Sequence, residues 1–262
     1  MQYKLILFDI GNTHIKIGIA NAKGVIASYA LNSDRSESSD SLGLKILQVL
    51  QNAECSICEL KTALASSVVP DLNFILLSAC KRYLKLELLF IPTELAIPME
   101  NRYARPEEVG ADRLLGAFAA RKAFPEYKNI ISIDFGTATT FDCIENNAYL
   151  GGLICPGIYS SASALTAKAA KLPRISLMIE ENEPIIGKST STSLNHGFIF
   201  GFAAMTEGLC NKIAETMPSK PLIIATGGFA TALAKVTNCF DQVYPELLLD
   251  GLFFLCKEHR LI

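Results

Sequence analysis

Apolar residues at the start of the chain fall into three short runs. Residues 3–10 are mostly apolar up to Asp9 and predict a strand. Residues 15–20 predict a second, and Asn21-Ala22-Lys23-Gly24 is a turn signal before a third at 25–31. Three strands joined by tight turns predict an antiparallel meander. A polar stretch follows at 32–41, and the spacing of Leu44, Leu47 and Leu50 then predicts a helix. Strand-like 62–69, helix-like 72–83 and strand-like 86–91 continue as an α/β alternation. Residues 92–106 hold Pro92, Pro98 and Pro106 and are expected to be irregular. Pro106-Glu107-Glu108 suits a first helical turn, so a helix is expected from there to about 124.

The opening pattern then recurs. An apolar run at 130–133 ends in Asp134-Phe135-Gly136-Thr137, and strand-like 138–144 and 148–154 flank a turn at Glu145-Asn146-Asn147. Asp9-Ile10-Gly11-Asn12-Thr13 closes the first copy, and the two aspartates lie 125 residues apart, close to half of the chain. A repeat on that scale predicts an internal duplication. Helices are expected at 160–170 and 191–215, a strand at 222–225 running into Thr226-Gly227-Gly228, and a last helix at about 246–259.

Composition narrows the class. Half of the residues are hydrophobic and 19% are charged, which supplies a large core and excludes a disordered chain. A net charge of −2 argues against a broad basic surface for nucleic acid. No apolar run reaches the length of a membrane span, and the first run is cut by Asp9, so neither a membrane segment nor a secretory leader is expected. Eight scattered cysteines in this length fit a reduced, cytoplasmic protein better than a disulfide scaffold. Cys55 and Cys58 form a CxxC, but His14, His196 and His259 lack the spacing of zinc partners, so the pair is expected to be two small, partly buried side chains.

The two aspartate turns carry the candidate chemistry. Glycine lets a phosphate approach the backbone, and successive N–H groups make an anion-binding concavity. A carboxylate repels phosphate but can hold a hydrated Mg²⁺ that bridges to it. One such turn is commonplace between strands. Two matched copies facing across a cleft would grip a nucleotide's phosphates from both sides, with the Thr226-Gly227-Gly228 strand end suited to a backbone approach to adenosine.

This set resembles the actin-like superfamily of ATPases and sugar kinases. With Gly110-Ala111-Asp112-Arg113, Gly151-Gly152-Leu153-Ile154-Cys155-Pro156-Gly157, Gly187-Lys188-Ser189-Thr190 and the 245–252 stretch, it resembles more narrowly the type III pantothenate kinases, with the motifs in that family's order. The resemblance implies an α/β fold of two duplicated actin-like (ribonuclease H-like) domains with an ATP cleft between them. The boundary is expected between 110 and 128 and is set at 1–115 and 116–262, with the last helix a candidate to pack on the first domain. It implies transfer of the γ-phosphoryl group of ATP to the 4′-hydroxyl of pantothenate, in coenzyme A biosynthesis.

Residue by residue, the resemblance implies that Asp9, Ile10, Gly11, Asn12, Thr13, His14, Ile15 and Lys16 wrap the ATP phosphates. Asp9 would hold Mg²⁺, directly or through water. Lys16 reads equally as a phosphate contact or as a solvated strand lysine, and His14 reads first as a strand-end histidine. Asp112 would be the general base; without its motif it would read as a helix-surface carboxylate paired with Arg113 or Arg105. Gly110, Ala111, Asp112, Arg113, Tyr103 and Thr190 would surround pantothenate, Thr190 across a dimer interface, with the Arg113 fork suited to a carboxylate. Asp134 would bind a monovalent cation, K⁺ or NH₄⁺, and Thr137 would touch the nucleotide. Asp142 is assigned to neither face.

The family is dimeric; an apolar helix at 197–209 is either an interface or intradomain core. The competing reading is a non-catalytic or transcription-related regulatory homologue of the same fold. Retention of Asp9, Asp112 and Asp134 together disfavours it. Gly110 to Arg113 disfavours a phosphohydrolase or a kinase for another acid, and the length leaves little room for the extra subdomains of a filament-forming relative.

Overall fold

The computed structural model describes residues 4–168, 172–173, 175–179 and 183–261. Tyr3, in the first expected strand, and Ala169 and Ala170, at the end of an expected helix, lie outside the described residues. The chain divides into two units: Met1–Met99, Arg105–Lys122 and Leu247–Ile262 form unit 1, and Glu100–Ala104 and Ala123–Glu246 form unit 2.

Unit 1 opens with the meander β1 (Lys4–Ile10), β2 (His14–Asn21) and β3 (Gly24–Asn32). Helix α1 (Ser39–Asn52), β4 (Leu60–Ser67), α2 (Pro70–Ala79) and β5 (Leu88–Ile91) follow. The sheet order is β3-β2-β1-β4-β5, antiparallel through the meander and parallel from β1 to β4 to β5. Side chains alternate across a strand, so the apolar run of β1 fills two cores at once. Ile6, Phe8 and Ile10 pack with Leu42 and Ile46 of α1 and Leu72 and Leu76 of α2. Leu5 and Leu7 turn the other way, onto Leu248, Leu249 and Leu252 of the C-terminal helix Leu247–Glu258. Each such burial contributes about 1.5–3 kcal/mol, so this strand is anchored on both faces and its polar end, Asp9, is held in register.

The helix read over 72–83 is present, α-helical from Pro70 to Ala79 and continuing as a π-helical turn, Cys80–Leu84, stopped by Lys85 in the left-handed region at φ 58°. The one expected from Pro106 is only a single 3₁₀ turn, Pro106–Glu108, after which Val109 is extended at ψ 124°. A new helix, α3 (Ala111–Ala123), starts beyond it. A proline and two acids suit any short helical turn, and the extended Val109 breaks the hydrogen-bond ladder. The break puts Asp112 in the first turn of α3 rather than in mid-helix. The boundary set after residue 115 falls inside α3, which belongs to unit 1 as far as Lys122, because Leu115 and Phe118 share a core with the C-terminal helix.

Unit 2 repeats the plan. A two-residue strand, β6 (Glu100–Asn101), comes from the proline-rich segment expected to be irregular. The meander β7 (Asn129–Phe135), β8 (Ala138–Glu145) and β9 (Ala148–Pro156) leads to α4 (Ile158–Lys168) and α5 (Thr190–Ala214). Strand β10 (Leu222–Thr226), the short α6 (Ala230–Leu233) and β11 (Gln242–Val243) complete it. Read from β9, the order β9-β8-β7-β10-β11 matches β3-β2-β1-β4-β5, with the same pattern of antiparallel and parallel pairs; β6 is added beside β9. The duplication seen in the sequence is therefore a duplication of topology.

Candidate active site

The first aspartate turn joins β1 to β2. Ile10 and Ile15 are each 1% exposed, so their side chains belong to the core and only their main chain borders the turn. Asn12, Thr13 and His14 between them are exposed. The Gly11 N–H donates to the His14 carbonyl at 3.0 Å. From the loop after β3, Ser33 Oγ donates to the Gly11 carbonyl at 2.6 Å, the Ser33 N–H to the Thr13 carbonyl at 3.0 Å, and Arg35 Nη2 to Asn12 Oδ1 at 3.1 Å. The sequence reading missed Ser33 and Arg35; the 32–41 stretch showed only as polar. Asp9, half-buried, stands opposite Lys16 in the strand register. Directly opposed residues share a face, so Lys16 is half-buried beside the carboxylate strand rather than turned away as a solvated lysine.

The second turn joins β7 to β8 and is one residue shorter. The Gly136 N–H donates to the Ala138 carbonyl at 3.0 Å, again the first residue of the next strand. Thr137 is exposed, and its carbonyl accepts from Ser160 Oγ of α4 at 2.8 Å. Gly157 lies against the same carbonyls: a Cβ there would come within 2.2 Å of the Thr137 oxygen. The strand end Thr226-Gly227 runs beside this turn, Thr226 in register with Asp134. Gly227, at φ +87°, packs so closely that a Cβ would fall 2.3 Å from Asp134 Oδ1 and 2.7 Å from Phe135 N. The glycine-rich strand end and the second aspartate are thus one local structure.

Asp112 is half-buried, with Oδ1 accepting the Arg113 N–H at 2.8 Å. Burial pushes its carboxyl pKa up, and the Arg113 N–H and guanidinium oppose this without cancelling it. The alternative partner, Arg105, pairs instead with Glu108 at 2.8 Å. Arg113 is 8% exposed, so its guanidinium is not a solvated surface charge. Gly110, Ala111, Asp112 and Arg113 thus form one compact corner of unit 1.

Tyr103 and Thr190 stand on other elements of unit 2. Tyr103 is half-buried, its N–H donating to Asn101 Oδ1 at 3.0 Å and its ring lying against Gly151 of β9. Its ring centroid is 6.3 Å from that of Tyr149, whose hydroxyl donates to Asp142 Oδ1 at 3.0 Å. Asp142, unassigned from sequence, is 4% exposed beneath these rings. Thr190 is the exposed first residue of α5, capped by Ser189, whose side chain accepts from the Thr192 N–H at 3.1 Å. Of the CxxC pair, Cys55 is buried and Cys58 exposed. Among the described residues no group of three or more His, Cys, Asp or Glu is placed to hold a metal, and no helix is long and apolar enough to cross a membrane.

Twofold-repeated sheets with an aspartate turn at the end of each first strand define the actin-like ATPase and sugar kinase class. Solved structures agree on this fold. A conserved Campylobacter jejuni protein assigned provisionally to the Baf family of transcriptional activators matches with TM-score 0.61 at 17% identity, over 98% of this chain and all of that one. The inorganic polyphosphate/ATP-glucomannokinase of Arthrobacter sp. strain KM matches with TM-score 0.51 at 13% identity, over 98% of this chain and all of that one. At such identities the likeness is one of fold alone. The type III pantothenate kinase family model matches residues 5–212, and the type III pantothenate kinase of Oleidesulfovibrio alaskensis is 55% identical over 98% of both chains. The chain belongs to the type III pantothenate kinase family.

Proposed function

We propose that this chain transfers the γ-phosphoryl group of ATP to the 4′-hydroxyl of pantothenate, yielding ADP and 4′-phosphopantothenate for coenzyme A biosynthesis. The observation that carries this reading is Asp112: a half-buried carboxylate at the start of α3, its pKa raised by burial, within Gly110-Ala111-Asp112-Arg113. A base with a raised pKa takes a hydroxyl proton more readily at neutral pH than an ordinary aspartate. Most of the acceleration in phosphoryl transfer comes from positioning and charge neutralisation. In this reading the Gly11 and Gly136 turns border the phosphates, with Asn12, Thr13, Lys16 and Thr137 as their polar partners. Arg113, Tyr103 and Thr190 orient pantothenate, Arg113 toward its carboxylate.

The donor sets fit the ions a kinase needs. Asp9 beside Asn12 and Thr13 offers hard oxygens suited to a largely hydrated Mg²⁺. Asp134, beside the exposed Thr137 of the second turn, would supply the carboxylate for a monovalent cation, K⁺ or NH₄⁺. When bound, these ions neutralise phosphate charge. We further assign the protein to the cytoplasm as a homodimer. The exposed apolar side chains Ile154, Tyr159, Ile185 and Ile186 of unit 2 support association, and light scattering on the purified protein tests it.

The test of the activity is a mass-spectrometric assay with ATP, Mg²⁺ and pantothenate, with and without K⁺, beside Asp112→Asn. Phosphopantothenate that depends on K⁺ and is lost in the variant supports the reading. Absence of product from folded protein under every ion condition refutes it.

A further inference from the structure

The segment that carries Tyr103 is built onto the outer strand of the unit 2 meander. Strand β6 pairs in parallel with β9, Glu100 beside Ala148 and Asn101 beside Tyr149. The Glu100 N–H donates to the Asn147 carbonyl at 3.1 Å, and the Arg102 N–H to the Tyr149 carbonyl at 2.9 Å. Arg102 bridges Glu100 of its own segment and Glu145 of β8, at 2.8 and 3.2 Å. These contacts lead Tyr103 onto a break in β9. There the register with β8 slips: Cys143 faces Gly151 but Ile144 faces Tyr149, so Leu150 is an extra residue. Such a bulge re-aims the side chains beside it. Gly151 has φ +116°, and a Cβ on it would lie 3.2 and 3.3 Å from two carbons of the Tyr103 ring. Only glycine lets the ring rest on the backbone at this point.

Tyr149 forms the other side of the seat. Its ring is fully buried, which demands a partner for its hydroxyl. Asp142 supplies one: Oδ1 accepts from the Tyr149 hydroxyl at 3.0 Å, and Oδ2 from the Thr140 hydroxyl at 3.3 Å. The Tyr149 ring is thereby fixed in angle, tilted 36° from the Tyr103 ring with centroids 6.3 Å apart. Tyr103 itself is only half-buried, so part of its surface is left for a ligand. We propose that Asp142, Tyr149 and Gly151 are positioning residues for the phosphoryl acceptor. They seat the Tyr103 ring and through it set the affinity for pantothenate, not for ATP. This rests on the reading of Tyr103 as a pantothenate contact. Loss of the seat removes binding made equally in the ground and transition states, which raises KM at constant kcat.

The experiment measures kcat and the KM values for pantothenate and ATP in wild type, Tyr149→Phe, Gly151→Ala, Tyr103→Leu and the double variant Tyr103→Leu/Tyr149→Phe, with circular dichroism to confirm that each is folded. Tyr149→Phe removes the hydroxyl that ties the ring to Asp142. It is expected to raise KM for pantothenate about three- to tenfold, the size of one lost hydrogen bond. Gly151→Ala pushes on the Tyr103 ring from the backbone and is expected to raise it at least as much. KM for ATP and kcat are expected to stay at wild-type values in both. In Tyr103→Leu the seated ring is gone, so adding Tyr149→Phe is expected to change KM for pantothenate no further. A wild type that makes no phosphopantothenate refutes the proposed activity, and the seat with it. With an active wild type, three results overturn the seat alone: KM for pantothenate unmoved in the folded single variants, KM for ATP raised equally, or Tyr149→Phe acting in full on the Tyr103→Leu background. Tyr149→Phe and Gly151→Ala reach the ring from different sides, so if one misfolds the other decides.

Discussion

Gly227→Ala isolates the contact between the glycine-rich strand end and the second aspartate turn. Two costs are additive. At φ +87° an L-residue occupies the left-handed region, which costs about 1–2 kcal/mol. The new methyl would lie 2.3 Å from Asp134 Oδ1 and 2.7 Å from the Phe135 backbone, and overpacking of this kind costs about 1–3 kcal/mol. The Phe135 backbone is part of the β7 ladder and yields little, so Asp134 must shift. A total of about 2–5 kcal/mol lowers the melting temperature of a chain this size by about 5–20 °C. The neighbouring Gly228 is the internal control: it is exposed, a Cβ added there would meet nothing within 4 Å, and it is not at positive φ. Thermal unfolding of Gly227→Ala and Gly228→Ala, followed by K⁺ titration of kinase activity, reads both consequences. Gly227→Ala is expected to melt well below wild type and to need more K⁺ for half-maximal rate, with Gly228→Ala within about 0.5 kcal/mol of wild type. Equal melting temperatures for the two variants would refute the packing argument.

Three further outcomes are expected. The Asp112 pKa is raised above its ordinary 3.8 by burial, so the native state binds this proton more tightly than the unfolded chain and is penalised as pH rises past 3.8. Asp112→Asn should therefore be more stable than wild type at pH 7 and lose that advantage below about pH 4, as denaturant titrations at the two pH values would report. Ser33→Ala removes the 2.6 Å bond to the Gly11 carbonyl. At about 1 kcal/mol this loosens the first turn and raises KM for ATP about fivefold, with an unchanged KM contradicting the assigned support. Burial pushes the Cys80 and Cys256 thiols up to about 12, so timed maleimide labelling of the native protein at pH 8 should modify exposed Cys58 well before either; early labelling of Cys80 or Cys256 would contradict their burial.

Local signals are legible where local physics decides the outcome. The meanders of β1–β3 and β7–β9 follow from runs of strand formers punctuated by turn residues, and both copies keep the same order. Asp9 and Asp134 each stand one residue before the end of their strand, where the chain turns out of the core. The helix expected from Pro106 fails because its start signal is also that of a 3₁₀ turn, and only the extended Val109 separates Pro106–Glu108 from α3.

From the residues alone came the duplication, the two aspartate turns and the α/β class, which rest on periodicity and on spacings of a few residues. The motif around Asp112 was legible only through its resemblance to a known family. Tertiary packing decided the rest. The C-terminal helix carries apolar residues that would fit many cores, yet Leu248, Leu249 and Leu252 lie on Leu5 and Leu7, which makes unit 1 discontinuous in sequence. The burial that shifts the Asp112 pKa, the Ser33 bond beneath the first turn and the Gly227 contact with Asp134 all join residues brought together by the fold or depend on what covers them. Such contacts leave no periodic trace, because which distant surfaces meet is settled by the summed burial of whole elements rather than by the preferences of any one segment.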